Sequence, residues 1–199
     1  MPILGVPSAK GELVDAFGGQ RGYAGADGEQ RTATVLDRAY RNDPLTWILH
    51  DLNTPGYDYA NIDHVALRRT AEGTLRVLVI DSKLWLPGKY RLDADGVLLR
   101  DGDKFAAGKS ALGLADMANA LTRAIGDPDV QTKLCLAVWP SRTGVINMGF
   151  AKKRLQLDRG ISLVRGRDIV RTIDGGLGQG SQPMDEVVEK LRPYVRKAN

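Results

Sequence analysis

The chain has 199 residues, with 28 Lys and Arg against 24 Asp and Glu. Hydrophobic residues make up 43% of it and charged residues 26%, a balance that allows a buried core and excludes wholesale disorder. No apolar run approaches the roughly 18 residues that span a bilayer, and the first residues lack the features of a secretory signal. One cysteine and two histidines exclude a disulfide framework and a multi-histidine metal centre. We therefore expect a soluble, cytoplasmic globular protein with no membrane partner.

Positive charge is concentrated in the second half of the chain. Residues 1–99 carry a net charge of −2, and residues 100–199 carry +6. The most basic stretch contains Lys152, Lys153, Arg154, Arg159, Arg165, Arg167 and Arg171 against two acidic residues. Such an excess attracts polyanions, so the stretch is either a nucleic-acid-binding surface or a solvated basic face.

The first half of the chain predicts an arm, a helix and a set of strands. Residues 1–26 hold six glycines and predict a flexible arm. Asp27 is a good N-cap for a helix that ends near Arg41 and has Glu29 on its apolar side. Strands follow at 47–52, 61–68 and 75–83, and the short loop before the last of them indicates a hairpin. Residues 90–92 and 97–100 predict a smaller hairpin.

The second half predicts alternating helices and strands. We expect a helix over 109–125, a buried strand over 133–139, short strands over 145–148 and 161–164, and a short helix over 166–173. Residues 174–182 predict a glycine-rich linker before an amphipathic helix over 183–197. The domain organisation is then an arm at 1–26, a domain at 27–175, and a linker with a C-terminal helix at 176–199. The pattern indicates an α/β fold with a central mixed β-sheet flanked by helices.

Acidic residues of the predicted hairpin form the most informative group. Alternate residues of a strand share a face, so Asp81 and Lys83 project the same way. If the hairpin turns near residues 70–74, Asp63 lies opposite Asp81 with Cβ atoms roughly 4.5–5.5 Å apart. Such carboxylates repel each other unless a proton, a lysine or a cation lies between them. Mg²⁺ or Mn²⁺ on Asp63, Asp81 and the Ser82 carbonyl oxygen would leave positions for a phosphate oxygen and an attacking water.

The neighbouring residues have both a chemical and a structural interpretation. Lys83 could orient or deprotonate the water or offset transition-state charge, and Glu29 could add a third carboxylate. Alternatively, Asp81 ends a strand, Lys83 is solvated, and Glu29 complements the helix dipole. His64 points to the opposite face from the carboxylates and is interpreted as a packed or hydrogen-bonded histidine.

These motifs together resemble a known family. Gly28-Glu29 at a helix start, Asn61-Ile62-Asp63-His64-Val65, Val79-Ile80-Asp81-Ser82-Lys83 and Gly88 resemble the nuclease-related domain (NERD) family of the PD-(D/E)xK, restriction-endonuclease-like group. The resemblance covers roughly residues 25–175. It implies a restriction-endonuclease-like core and a metal-dependent phosphodiesterase acting on DNA. It places Glu29, Asp63, Asp81 and Lys83 in the acidic and lysine positions, although relatives usually carry Glu where this chain has Asp81.

The sequence therefore predicts a Mg²⁺- or Mn²⁺-dependent DNA endonuclease whose basic stretch binds the phosphate backbone without reading sequence. Two alternatives stay open. One is a catalytically inactive nucleic-acid-binding module with the same fold. The other is a structural protein that assembles through its glycine-rich arm and terminal helix. RNA as a substrate and a homodimeric state are also left open.

Overall fold

The computed structural model of the chain describes residues 2–7, 19–58, 60–95, 97–105, 110–149, 151, 153, 155–156 and 160–196. The helices are α1 (Gly19–Tyr40), α2 (Ser110–Ile125), α3 (Ile169–Leu177) and α4 (Asp185–Leu191). Short 3₁₀ turns lie at Gly166–Asp168 and Arg192–Tyr194. No helix in these ranges is both long enough and apolar enough to cross a membrane.

Strands of the central sheet run in two directions. Its order is β1-β2-β3-β4-β8-β10, and a smaller sheet has the order β7-β6-β5-β9. The strands are β1 (Ile3–Leu4), β2 (Trp47–Asn53), β3 (Asn61–Arg69), β4 (Leu75–Trp85), β5 (Gly88–Leu92), β6 (Leu98–Arg100), β7 (Asp103–Lys104), β8 (Val130–Pro140), β9 (Ile146–Asn147) and β10 (Ile161–Arg165). Strands β2, β3 and β4 pair antiparallel, whereas β8 and β10 continue the sheet in parallel with β4. The predicted α/β fold with a mixed central sheet flanked by helices is confirmed.

The hairpin of β3 and β4 has the predicted register. Its pairs run from His64 opposite Ile80 to Arg69 opposite Leu75. The turn closes through a hydrogen bond from Thr70 N–H to the carbonyl oxygen of Thr74. The same register makes residues 63 and 81 the next opposed positions, just beyond the last ladder pair. Beyond this point β4 continues beside β8 as far as Trp85, so β3 and β4 separate at the end that carries the carboxylates.

Each face of the central sheet is covered by a different layer. Helices α1 and α3 bury Leu36 and Ile173 against one face, together with Ile80 of β4. Helices α2 and α4 and the smaller sheet cover the other face, where Leu121 and Val188 pack into a larger core. Both layers are apolar, so burial of nonpolar surface holds the helices to the sheet.

The start of α1 differs from the predicted start. The helix begins at Gly19 rather than at Asp27, which lies inside the helix and pairs with Arg31 at 2.7 Å. Glycine disfavours helix, but packing overrides propensity here, because Gly28 lies directly over β4. A Cβ atom at Gly28 would be 3.5 Å from the backbone of Lys83 and Leu84. Within the predicted arm, residues 3–4 form a strand and residues 19–26 are helical, while residues 8–18 lie outside the described ranges.

The C-terminal boundaries also differ from the prediction. Helix α3 continues through residues 174–177, which were predicted to begin a linker, and ends where Gly178 adopts a positive φ of 68°. The terminal helix covers Asp185–Leu191 rather than 183–197. Its apolar residues Val187 and Val188 are buried in the larger core, so α4 is part of that core rather than standing apart.

Candidate active site

Asp63, Asp81 and Lys83 lie where β3 separates from β4. The backbone N–H of Ser82 donates to Oδ2 of Asp63 at 2.6 Å, so the Asp63 side chain crosses the gap between the strands. Nζ of Lys83 lies 2.5 Å from Oδ1 of Asp81, and both side chains are mostly buried. The structure thus brings the three predicted residues of the hairpin together.

Helix α1 brings Glu29 and Thr32 to the same place. Glu29 is buried, and its carboxylate acts electrostatically on both Asp63 and Lys83. The Thr32 hydroxyl is fully buried, donates to the carbonyl oxygen of Gly28, and accepts hydrogen bonds from Ser82 Oγ and Trp139 Nε1, each at 2.8 Å. Through these hydrogen bonds the Thr32 hydroxyl connects α1 to β4 and β8. They fix the position of α1 over the sheet and therefore the position of Glu29 in the site.

Asp63 lies in an environment that disfavours its ionised form. Burial raises its pKa well above the ordinary value, and the negative charges of Glu29 and Asp81 raise the pKa further. Lys83 and the Ser82 N–H lower the pKa but do not offset these effects. When its three carboxyl groups are ionised, the cluster carries more negative charge than its single lysine neutralises, and a bound cation would relieve that imbalance.

Lys83 is held as a cation. Burial alone would lower its pKa, but the carboxylates of Asp81 and Asp63 outweigh burial and raise the pKa above the ordinary lysine value. The amine is therefore a hydrogen-bond donor and a positive charge at neutral pH, and not a base that accepts a proton.

Two carboxylates and a backbone carbonyl offer oxygen ligands in this site. Asp63, Asp81 and the carbonyl oxygen of Ser82 supply the hard donors that Mg²⁺ and Mn²⁺ prefer. Within the described ranges, no group of three or more His, Cys, Asp or Glu side chains is arranged to hold a metal ion. The predicted ligand set contains two such side chains, so its donor chemistry fits the ion, and water or substrate oxygens would have to complete the coordination shell.

The predicted basic stretch is described only in part. Lys152, Arg154 and Arg159 lie outside the described side chains, and Lys153, Arg165, Arg167 and Arg171 are exposed. Arg165 is opposite Val138 of β8, which in turn is opposite Lys83 of β4. Neighbouring strands lie about 4.8 Å apart, so the backbone of Arg165 lies roughly 10 Å from the backbone of Lys83, two strands away.

Two features of the site were not predicted from the sequence: the hydrogen bonds of Thr32, and a histidine pair beneath the site. His64 is buried as predicted, and its Nδ1 lies 2.7 Å from Nδ1 of His50. Nε2 of His50 lies 2.8 Å from Oδ1 of Asp37 on α1. The spacing of Thr32 three residues after Glu29 places both on one helix face, and this was the available signal.

Comparison of the chain with protein-family models, with curated proteins and with solved structures finds no match. The resemblance to the NERD family therefore stays a prediction from the quoted motifs.

Proposed function

We propose that the chain is a Mg²⁺- or Mn²⁺-dependent endonuclease that hydrolyses phosphodiester bonds in DNA. The observation that carries this proposal is the cluster of Asp63, Asp81 and Lys83 at the open end of the hairpin, with Glu29 brought in by α1. The resemblance of the same four residues to the NERD pattern supports it independently of the geometry.

In this proposal Asp63, Asp81 and the Ser82 carbonyl oxygen hold the ion. When bound, a divalent ion polarises the phosphate and lowers the pKa of a coordinated water. The Ser82 N–H donates to Oδ2 of Asp63, which keeps that carboxylate directed toward β4. Glu29 adds negative charge from the helix side and favours cation binding without being required as a direct ligand.

Lys83 is proposed to act as a positioning and charge-stabilising group. Its protonated amine has three N–H donors, and the contact with Asp81 uses one of them. The remaining donors are available to orient the attacking water and to stabilise the negative charge that develops on the phosphate oxygens. Because the neighbouring carboxylates hold the amine protonated, Lys83 is not assigned the removal of the water's proton.

The test of this function is cleavage of supercoiled plasmid DNA with Mg²⁺ or Mn²⁺ and with EDTA. We expect nicked and linear products only with the metal, and a loss of about 100-fold or more in Lys83→Ala. Lys89→Ala is the matched control, because Lys89 is exposed on β5 and should leave the rate unchanged. Cleavage that persists in EDTA or is unaffected by Lys83→Ala would overturn the proposal.

One observation favours the second candidate, a catalytically inactive module that binds nucleic acid. Oδ1 of Asp81 is already engaged by Lys83, and no three-carboxylate metal group exists within the described ranges. This candidate predicts salt-sensitive DNA binding in a gel-shift assay and no product after long incubation with Mn²⁺. Product formation that requires Mn²⁺ and Lys83 would exclude it.

A further inference from the structure

We propose that a cavity at the ends of β8 and β10 binds one unpaired nucleotide of a DNA strand beside the proposed cleavage site. This inference rests on DNA being the substrate, and it adds a strand preference that neither the motifs nor their family resemblance supplies. It assigns roles to Arg31, Trp139 and Val145, which no sequence motif singled out as binding residues.

The cavity has a volume of about 380 Å³, which is within the range of small-ligand sites. It is bounded by α1, by the end of β8, by the loop before β9 and by the end of β10. Its charged and apolar walls are formed mainly by Arg31, Trp139, Pro140, Val145, Arg165 and Arg167.

Three arginines line this cavity, and none of the described residues in its wall is acidic. Arg31 is held in place by Asp27 at 2.7 Å and by a hydrogen bond to the Pro140 carbonyl oxygen at 3.1 Å. Arg165 and Arg167 are exposed and flank Gly166 at the end of β10. Arginine binds phosphate oxygens with paired N–H donors, so this rim suits the phosphate of a nucleotide.

Apolar side chains form the rest of the wall. The indole of Trp139 is fixed by its hydrogen bond to Thr32 and by Gly166, where an added Cβ would come within 1.9 Å of the ring. Val145 is 72% exposed on the rim, the highest exposure among the large hydrophobic residues of the described ranges. A nucleobase brings an apolar face against such a wall while its phosphate meets the arginines.

The geometry favours an unpaired nucleotide over a base pair. Bases in a duplex are stacked and enter a concave pocket only after they leave the stack. The cavity also adjoins the proposed active site, because Val138 in its wall is opposite Lys83 in the register of β8 and β4. A strand whose phosphate lies at Lys83 therefore places a neighbouring nucleotide at the cavity.

The test is fluorescence anisotropy with a labelled oligothymidylate of about 12 nucleotides and a duplex of the same length, both in EDTA so that nothing is cleaved. We expect the single strand to bind about tenfold more tightly than the duplex. We expect Val145→Asp and the double variant Arg165→Ala/Arg167→Ala each to lose about tenfold in single-strand affinity. The double variant Arg38→Ala/Arg123→Ala is the control, since it removes the same number of charges from exposed positions on α1 and α2 that do not line the cavity, and it should change affinity less than twofold.

Equal affinity for single strand and duplex, or cavity variants that bind the single strand like the unmodified chain, would overturn the inference. An equal loss in Arg38→Ala/Arg123→Ala would also overturn it, because that result indicates general charge attraction. The two proposals fail separately. Cavity variants that lose single-strand binding in a protein that never cleaves would refute the nuclease and support the cavity. Metal-dependent cleavage together with unchanged single-strand binding by the cavity variants would support the nuclease and refute the role of the cavity.

Discussion

Ser82 donates its backbone N–H to Oδ2 of Asp63 at 2.6 Å. The acceptor is therefore a side chain of β3, whereas backbone carbonyl oxygens of β3 are the acceptors farther along the hairpin. The ladder between the strands ends one pair earlier, at His64 and Ile80. This hydrogen bond holds the Asp63 carboxylate beside Asp81 and Glu29, whose negative charges disfavour its ionised form. Repulsion between these carboxylates therefore destabilises the fold at the place where the proposed chemistry needs clustered oxygen ligands.

Asp63→Asn should stabilise the protein at neutral pH. Asparagine keeps an acceptor for the Ser82 N–H and removes a buried carboxyl group whose ionised form faces two other carboxylates. Because the pKa of Asp63 is raised in the folded state, this carboxyl group costs most stability above that pKa. The cost shrinks as the pH falls below the raised pKa and is gone below the ordinary aspartate pKa near 3.8. We expect an increase of about 1 kcal/mol in the free energy of unfolding, or about 2–4 °C in Tm, with activity lost.

The measurement is urea unfolding at pH 7.5 and again near the acid limit of folding. Asp95→Asn is the control, because Asp95 is an exposed turn residue whose charge faces no such cluster in the described chain. A variant of Asp63 that is less stable than the unmodified chain at pH 7.5 would contradict the description of this carboxylate as electrostatically destabilising.

The buried histidine pair predicts how stability depends on pH. Burial lowers the pKa of His64 well below its ordinary value, and the charge of His50 lowers it further. The folded state thus keeps His64 neutral, while the unfolded chain takes up a proton near pH 6.5. Stability should be fully present above that pH and fall by up to about 1.4 kcal/mol for each pH unit below it.

His64→Gln removes this proton uptake, so its stability should depend less steeply on pH between 6.5 and 5. The comparison is made by urea unfolding of both proteins across that range, which separates the slope from any constant loss caused by the substitution. Parallel curves for the two proteins would show that His64 titrates normally in the fold.

Gly166 is expected to tolerate no side chain. An added Cβ would lie 1.9 Å from Cε2 and 2.2 Å from Nε1 of Trp139, so Gly166→Ala must displace the indole and break its hydrogen bond to Thr32. We expect a loss of about 1–3 kcal/mol in stability. Gly175→Ala is the matched control, because no heavy atom of the described chain outside the neighbouring backbone of its own helix lies within 4 Å of the position its methyl group would take, and alanine favours helix. Near-equal thermal stability of the two variants would contradict the packing described at the cavity.

Local patterns determine the parts of the structure that could be predicted. The short loop after Arg69 sets the hairpin register, and alternation along β4 puts Asp81 and Lys83 on one face, so their proximity to Asp63 follows from the sequence. The apolar face of α1 was likewise readable from Leu36 and Tyr40 at helical spacing, and both are buried.

Features that depend on distant parts of the chain could not be predicted. The first turns of α1 are rich in glycine, so local propensity does not predict a helix there, and the approach of Gly28 to Lys83 and Leu84 of β4 joins residues that are far apart in the chain. The links from Thr32 to Ser82 and Trp139 join residues 50 and 107 positions apart, and no local pattern indicates them. The cavity could not be predicted either, because its walls come from three separate regions of the chain.

The most direct test of the central claim is a crystal of the protein soaked in Mn²⁺ and measured at the manganese absorption edge. We predict an anomalous peak in contact with carboxylate oxygens of both Asp63 and Asp81, which is lost in crystals of Asp81→Asn. No peak between these two residues at a Mn²⁺ concentration that saturates cleavage assays, or a peak unaffected by Asp81→Asn, would contradict the assignment of these carboxylates as metal ligands.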